Sequence, residues 1–124
     1  EEIGHELKEY ETDDFKIYFR SRSIENLGME KPYDECGRMH FMAYMDAAGD
    51  VLPCIVFMGR DEFVYGNIHD EDFPTLWESD RAKKIRATFT GDFIHQNCRK
   101  NCRLDEINKY LHELKHPGAH VNFI

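Results

Sequence analysis

Two runs of apolar residues separated by a short polar turn form the clearest pattern along the chain. The runs Met39–Met45 and Val51–Met58 each have the length of a strand, and Gly49 lies between them. Glycine readily adopts the positive φ that closes a tight turn. The pattern therefore predicts a β-hairpin that folds back at residues 46–50.

Further elements are indicated on both sides of this hairpin. Alternating apolar and polar residues predict an edge strand over Phe15–Arg22, and Phe63–Ile68 predicts another short strand. Asp72, with a proline two residues later, is typical of a helix N-cap. Ser79 or Asp80 can cap a second helix that ends before a glycine.

A third helix is predicted close to the end of the chain. Its first turn carries Asp105 and Glu106, and its last turn carries Lys115 and His116, as the helix dipole favours. One face of this helix is apolar and is expected to be buried: Leu104, Ile107, Leu111 and Leu114.

Together these elements predict an α+β fold, a small domain with a β-hairpin, further short strands and about three helices. Residues 31–116 are expected to form this domain. Residues 1–30 are interpreted as a linker and edge strand from a preceding domain, and residues 117–124 as a C-terminal tail. With 124 residues, the chain has the length of one domain and is too short for a catalytic barrel of roughly 200 residues.

The charge and the apolar content of the chain argue against nucleic acid and membrane as partners. The chain has 24 acidic and 16 basic residues, a net charge of -8, so nucleic acid is not expected as a partner. No apolar stretch approaches the roughly 20 residues of a membrane span. We therefore expect a cytoplasmic protein with no membrane partner.

Four cysteines carry the candidate chemistry. The hairpin would bring Cys36 towards Cys54, although 17 residues separate them, and Cys98 and Cys102 are separated by only three residues. Thiolates are the ligands that iron–sulfur clusters select, and a cubane takes up to four of them. The prediction is one metal site, ligated by all four cysteines, around which the small domain folds.

Other readings of the cysteines remain open at this point. A structural zinc module with four cysteine ligands that mediates protein contacts is one alternative, although zinc domains usually offer two closely spaced pairs and only Cys98 and Cys102 have that spacing. A disulfide-stapled interaction domain is another. Four basic residues near the thiols could offset cluster charge or form a solvated rim: Arg38, Arg99, Lys100 and Arg103.

The spacing Cys36-x12-Gly49-x4-Cys54 resembles the opening of the SPASM domain, the auxiliary-cluster domain of radical SAM enzymes, and of its shorter one-cluster form, twitch. The resemblance covers residues 33–115. Its further matches follow in the same order: Met45-Asp46, Gly49–Cys54, Tyr65–Ile68, Leu76–Ser79, and Cys98 with Cys102 and Arg103.

The resemblance implies that Cys36, Cys54, Cys98 and Cys102 bind an auxiliary [4Fe–4S] cluster beside a radical SAM barrel domain in cis. It implies electron transfer or substrate engagement, and a ferredoxin-type or flavodoxin-type electron donor. Only four cysteines are present, which matches the one-cluster form.

The catalytic signature Cys-x3-Cys-x2-Cys is not present, because Asp105 stands where its third cysteine would fall. S-adenosylmethionine is therefore expected only in a catalytic domain outside this chain. The chain alone is not expected to be active.

Overall fold

The computed structural model describes residues 2–19 and 21–119 and confirms the α+β class. The chain begins with α1 (Glu2–Lys8) and α2 (Ser21–Glu25), followed by a 3-10 turn over Asn26–Gly28. The predicted edge strand is not observed, because residues 15–19 have no regular structure and α2 begins at Ser21; Arg20 lies outside the described residues. Most of the C-terminal tail, residues 120–124, also lies outside them.

The predicted hairpin is confirmed, but its strands are short. Strands β1 (Tyr44–Met45), β2 (Asp50–Leu52) and β3 (Gly66–Asn67) form an antiparallel sheet in the order β1-β2-β3. Part of each predicted strand is instead in a 3-10 turn, at Gly37–His40 and at Ile55–Phe57. Because the proline that follows β2 has no backbone N–H to donate, regular pairing ends there.

Side chains fix the hairpin turn. The carboxylate of Asp46 accepts hydrogen bonds from the backbone N–H groups of Ala48 and Asp50, at 2.9 and 3.0 Å. Asn67 on β3 donates to the carbonyl of Ala48 and to the carboxylate of Asp50, both at 2.9 Å. Gly49 has a φ of 88° at this turn. The turn and the third strand are therefore held as one unit.

Helices α3 (Phe73–Glu78) and α4 (Asp80–Ala87) begin at the predicted caps. The Asp72 carboxylate accepts from the backbone N–H of Thr75 at 2.9 Å, and the Ser79 hydroxyl accepts from that of Ala82 at 3.1 Å. Each bond satisfies an N–H group that a helix start would otherwise leave unpaired.

Two further helices lie near the second cysteine pair. The sequence pattern does not predict α5 (Gly91–Asn97), whose buried residue is Ile94, but it does predict α6 (Asp105–Lys115). None of the helices described within 2–19 and 21–119 is long and apolar enough to cross a bilayer.

The predicted inward face of α6 is only partly correct. Leu104 and Leu111 are half-buried, but Ile107 and Leu114 are 43% and 58% exposed, whereas the polar residues Asp105 and Asn108 are buried. The reason is that the part of the domain under α6 is itself polar, and both buried side chains find hydrogen-bond partners there.

Aromatic side chains form the centre of the core. Phe57, Phe63, Phe89 and Phe93 pack with ring centroids 4.3 to 5.9 Å apart. The same buried cluster includes Cys36 and Cys54. The first two cysteines are therefore part of the hydrophobic core, which fixes their backbone.

Replacing Gly49 by alanine should destabilise the domain. At a φ of 88° a Cβ atom is strained, and it would lie 2.9 Å from the Asn67 Oδ1 atom. We expect the free energy of unfolding to fall by about 1–2 kcal/mol, measured by urea unfolding with the single tryptophan, Trp77, as the fluorescent probe.

Gly28→Ala is the matched control, because a Cβ atom there meets nothing within 4 Å. Its effect should remain within about 0.5 kcal/mol. Equal losses for the two variants would contradict the role given to the turn.

Candidate metal centre

The four cysteines come from four separate backbone features. Cys36 follows an isolated bridge between Glu35 and Thr90 and precedes the 3-10 turn at Gly37–His40, and Cys54 follows β2. Cys98 ends α5, and Cys102 lies in the loop before α6. Cys36 is held in place by its backbone N–H, which donates to the Phe89 carbonyl at 3.1 Å.

All four cysteines line one cavity of about 20 Å³, between α5, α6 and the hairpin. Cys36 and Cys54 are only 6% and 8% exposed, whereas Cys98 and Cys102 are half-buried. A larger cleft of about 350 Å³ lies beside the cavity, and Cys54 and Cys102 line both. The site thus has an inner pair of thiols in the core and an outer pair towards the surface.

The cysteines carry free thiols, so the structure contains none of the disulfides that the stapled alternative requires. Within the described part of the chain, no three His, Cys, Asp or Glu side chains are grouped closely enough to hold a single metal ion. The four thiols instead line the wall of a common cavity.

Burial favours the neutral form of two of the thiols, Cys36 and Cys98. Burial raises the pKa of Cys36, an effect that the Arg38 guanidinium and a hydrogen bond from Asn108 partly oppose. Burial, followed by the nearby Cys36 and Cys54 thiols, raises the pKa of Cys98 to about 11. Metal ligation requires thiolates, so a metal bound by these thiols would displace their protons.

Asn108 connects α6 to the first cysteine. Its side-chain amide donates to the Cys36 sulfur at 3.5 Å, and its side-chain carbonyl accepts from the backbone N–H of Arg38 at 3.1 Å. Sequence reasoning missed Asn108, because the apolar residues of α6 suggested a different inward face. The signal that could have found it is its i,i+3 spacing from Asp105, which places both polar side chains on one face.

Asp105 is the centre of a buried polar network beside the outer thiols, Cys98 and Cys102. Its carboxylate accepts from the Tyr33 hydroxyl at 2.6 Å, and the ammonium groups of Lys31 and Lys109 lie 3.5 and 2.9 Å away. Burial opposes ionisation, but the Tyr33 hydrogen bond and the two lysines outweigh it and hold the pKa of Asp105 below its usual range. Lys31 also donates to the carbonyl of Arg99 at 2.9 Å, which fixes the loop between Cys98 and Cys102.

The four basic residues fall into two groups. Arg38 is buried and Arg99 is exposed, and both line the thiol cavity. Lys100 and Arg103 are exposed at its edge and line neighbouring clefts. Only Arg38 is in a position where solvent cannot screen its charge.

A sequence model of the SPASM family, an iron–sulfur cluster-binding domain, matches residues 36–103. The chain belongs to this family. The match begins at the first cysteine of this SPASM domain and ends one residue after the last, so it contains all four thiols. It favours iron–sulfur chemistry over the zinc alternative. No curated protein and no solved structure matches the chain.

The raised pKa of Cys98 predicts an unusual pH dependence of thiol alkylation. Because the thiolate reacts, the rate for Cys98 in the folded, metal-free SPASM domain should rise about tenfold per pH unit up to a pKa of about 11. The same thiol in urea should level off near its ordinary pKa of about 8.5. Peptide mapping after pulses of iodoacetamide measures both profiles.

The slope, rather than the absolute rate, is the test, because restricted access lowers the rate equally at every pH. A folded-state profile that levels off near its ordinary pKa of about 8.5 would contradict the burial of this thiol as described.

Proposed function

We propose that this SPASM domain holds one auxiliary [4Fe–4S] cluster through Cys36, Cys54, Cys98 and Cys102 and uses it to transfer electrons for a radical SAM catalytic domain. The observation that carries the proposal is that four free thiols from three separate parts of the chain line a single cavity. Four thiolates are the ligand set of a cubane.

The donor set fits such a cluster in chemistry and in burial. Two thiols are fixed in the core, and the other two are on a loop with no regular structure that borders the larger cleft. Since the cavity holds about 20 Å³, a cluster needs more room than it offers, and the outer loop is the part that must yield. The lysine and aspartate contacts at that loop would set how far it moves.

Electron transfer is preferred to substrate engagement because all four thiols are available. Full ligation leaves every iron with a protein ligand, whereas binding of substrate to the cluster needs an open iron site. The structure supplies no fewer than four thiols at the cavity, which supports the closed form.

Asp105 and the exposed basic residues beside the outer thiols indicate the partners of the domain. Asp105 is engaged in a buried network of hydrogen bonds and ion pairs, and it takes the position that a third catalytic cysteine would need. We therefore assign the catalytic cluster and S-adenosylmethionine to a barrel domain in cis. The exposed Arg99, Lys100 and Arg103 beside the outer thiols suit an acidic electron donor of the ferredoxin or flavodoxin type. Free thiols and an iron–sulfur cluster both suit the reducing cytoplasm.

Anaerobic reconstitution with iron and sulfide should load about four irons and four sulfides per chain. We expect Cys54→Ala to lose most of the bound iron and the electron paramagnetic resonance (EPR) signal of the reduced cluster. Met58→Ala is the control, because it removes a sulfur-containing side chain that is exposed and lies outside the cavity. Stoichiometric zinc that iron cannot displace would contradict the proposal.

Cyanide tests whether every iron has a protein ligand. In the loaded wild-type domain, cyanide should leave the EPR spectrum unchanged, because no iron site is open. In Cys98→Ala, where a half-buried ligand is removed, cyanide should bind the exposed iron and change the spectrum. A change in the wild type would favour substrate engagement over electron transfer.

A further inference from the structure

Arg38 is a buried cation in the wall of the thiol cavity. It is only 2% exposed, and it heads the group of largest fully buried side chains in the described part of the chain. Arginine is almost never fully buried unless a partner compensates its charge. The position of Arg38 therefore calls for an explanation.

Its contacts within the chain do not supply a compensating charge. One terminal guanidinium nitrogen donates to the carbonyl of Pro53 at 3.0 Å, and the guanidinium lies 5.8 Å from the centre of the Tyr44 ring. The Nε atom has no hydrogen-bond partner. Among the described residues, no carboxylate lies within ion-pairing distance of Arg38.

Asp105, in contrast to Arg38, is a buried charge with oppositely charged partners in the chain. Two lysines and a tyrosine surround that carboxylate. A buried charge without such partners is costly by several kcal/mol. The compensation for Arg38 must come from whatever the cavity holds.

We propose that Arg38 is the fixed counter-charge of the iron–sulfur cluster, a positioning residue that stabilises the ligated anion and raises its reduction potential. This inference rests on the proposed function. Four thiolates around a [4Fe–4S]²⁺ core give a net charge of 2−, and uptake of one electron from a reductant makes it 3−. A cation in the same low-dielectric cavity stabilises the more negative form more strongly.

The location of Arg38 adds a second contribution. Its bond to the Pro53 carbonyl acts on the residue directly before Cys54, and its own backbone N–H is held by Asn108, which also contacts Cys36. The charge is thus fixed relative to both inner thiols. The exposed basic residues nearby lack this feature, because water and salt screen them.

The test compares reduction potentials of reconstituted domains in an EPR-monitored titration with dithionite and mediators. Arg38→Gln removes the charge and keeps a donor for the Pro53 carbonyl, and Arg38→Lys keeps the charge. Arg103→Gln is the matched control, one residue from Cys102 but exposed. Iron and sulfide contents and circular dichroism spectra are measured on each sample.

We expect Arg38→Gln to shift the reduction equilibrium against the reduced cluster by tenfold or more, which is about 59 mV for one electron. The reduction equilibrium of Arg38→Lys and of Arg103→Gln should each remain within about threefold of the wild type. Arg38→Lys keeps the positive charge, and solvent already screens the charge that Arg103→Gln removes. Loss of the cluster in Arg38→Gln, with retention in Arg38→Lys and a native circular dichroism spectrum, would also support a counter-charge.

Other outcomes overturn the inference. An unchanged reduction potential in Arg38→Gln would show that Arg38 is a structural contact only. The same conclusion would follow if both Arg38 variants failed to fold or lost the cluster while Arg103→Gln folded and retained it. Failure of the wild type and of Arg103→Gln to load any cluster would instead refute the proposed function, and the inference with it.

Discussion

The position of the first cysteine depends on one side chain of the last helix. Asn108 uses its carbonyl oxygen for the backbone N–H of Arg38 and its amide for the Cys36 sulfur, and all three groups are buried. An unsatisfied buried polar group costs about 1–3 kcal/mol, so these bonds strongly favour one placement of α6. A Cβ atom at Gly37 would lie 2.9 Å from Leu111, so the helix also approaches the backbone as closely as a glycine permits.

The same arrangement joins folding to the chemistry of the site. Neutral thiols can be buried in a hydrophobic core at little cost, but a guanidinium cannot. The core therefore carries a positive charge that is unbalanced while the thiols are protonated. Ligation as proposed would convert the thiols to thiolates and supply the opposite charge, so binding energy would contribute to the stability of the fold. The acidic network around Asp105 is complete without any ligand, and it secures α6 independently of the metal centre.

The features that follow from local chemistry were predictable from the sequence. The hairpin, the caps at Asp72 and Ser79, and the helix at Asp105–Lys115 each depend on residues close together in the chain, and each is confirmed. The grouping of the four thiols at one cavity also agrees with the structure, although their role as ligands stays a prediction. Apolar periodicity predicted the inward face of α6 only in part, because Asp105 and Asn108 are buried by partners far away in sequence. The short α5 has too few apolar residues for a periodic signal.

The unequal burial of the two thiol pairs gives assembly of the site a direction. Incoming iron would meet Cys98 and Cys102 before the buried Cys36, because these two thiols are half-buried on the loop that borders the open cleft, which Cys54 also lines. Cys36 would be reached last, and the core already holds it in place. Loss of iron would begin at the same outer edge, because oxygen and chelators reach it first, while the buried thiols would still retain the iron. A partly degraded cluster would then stay bound to the domain, available for repair in place.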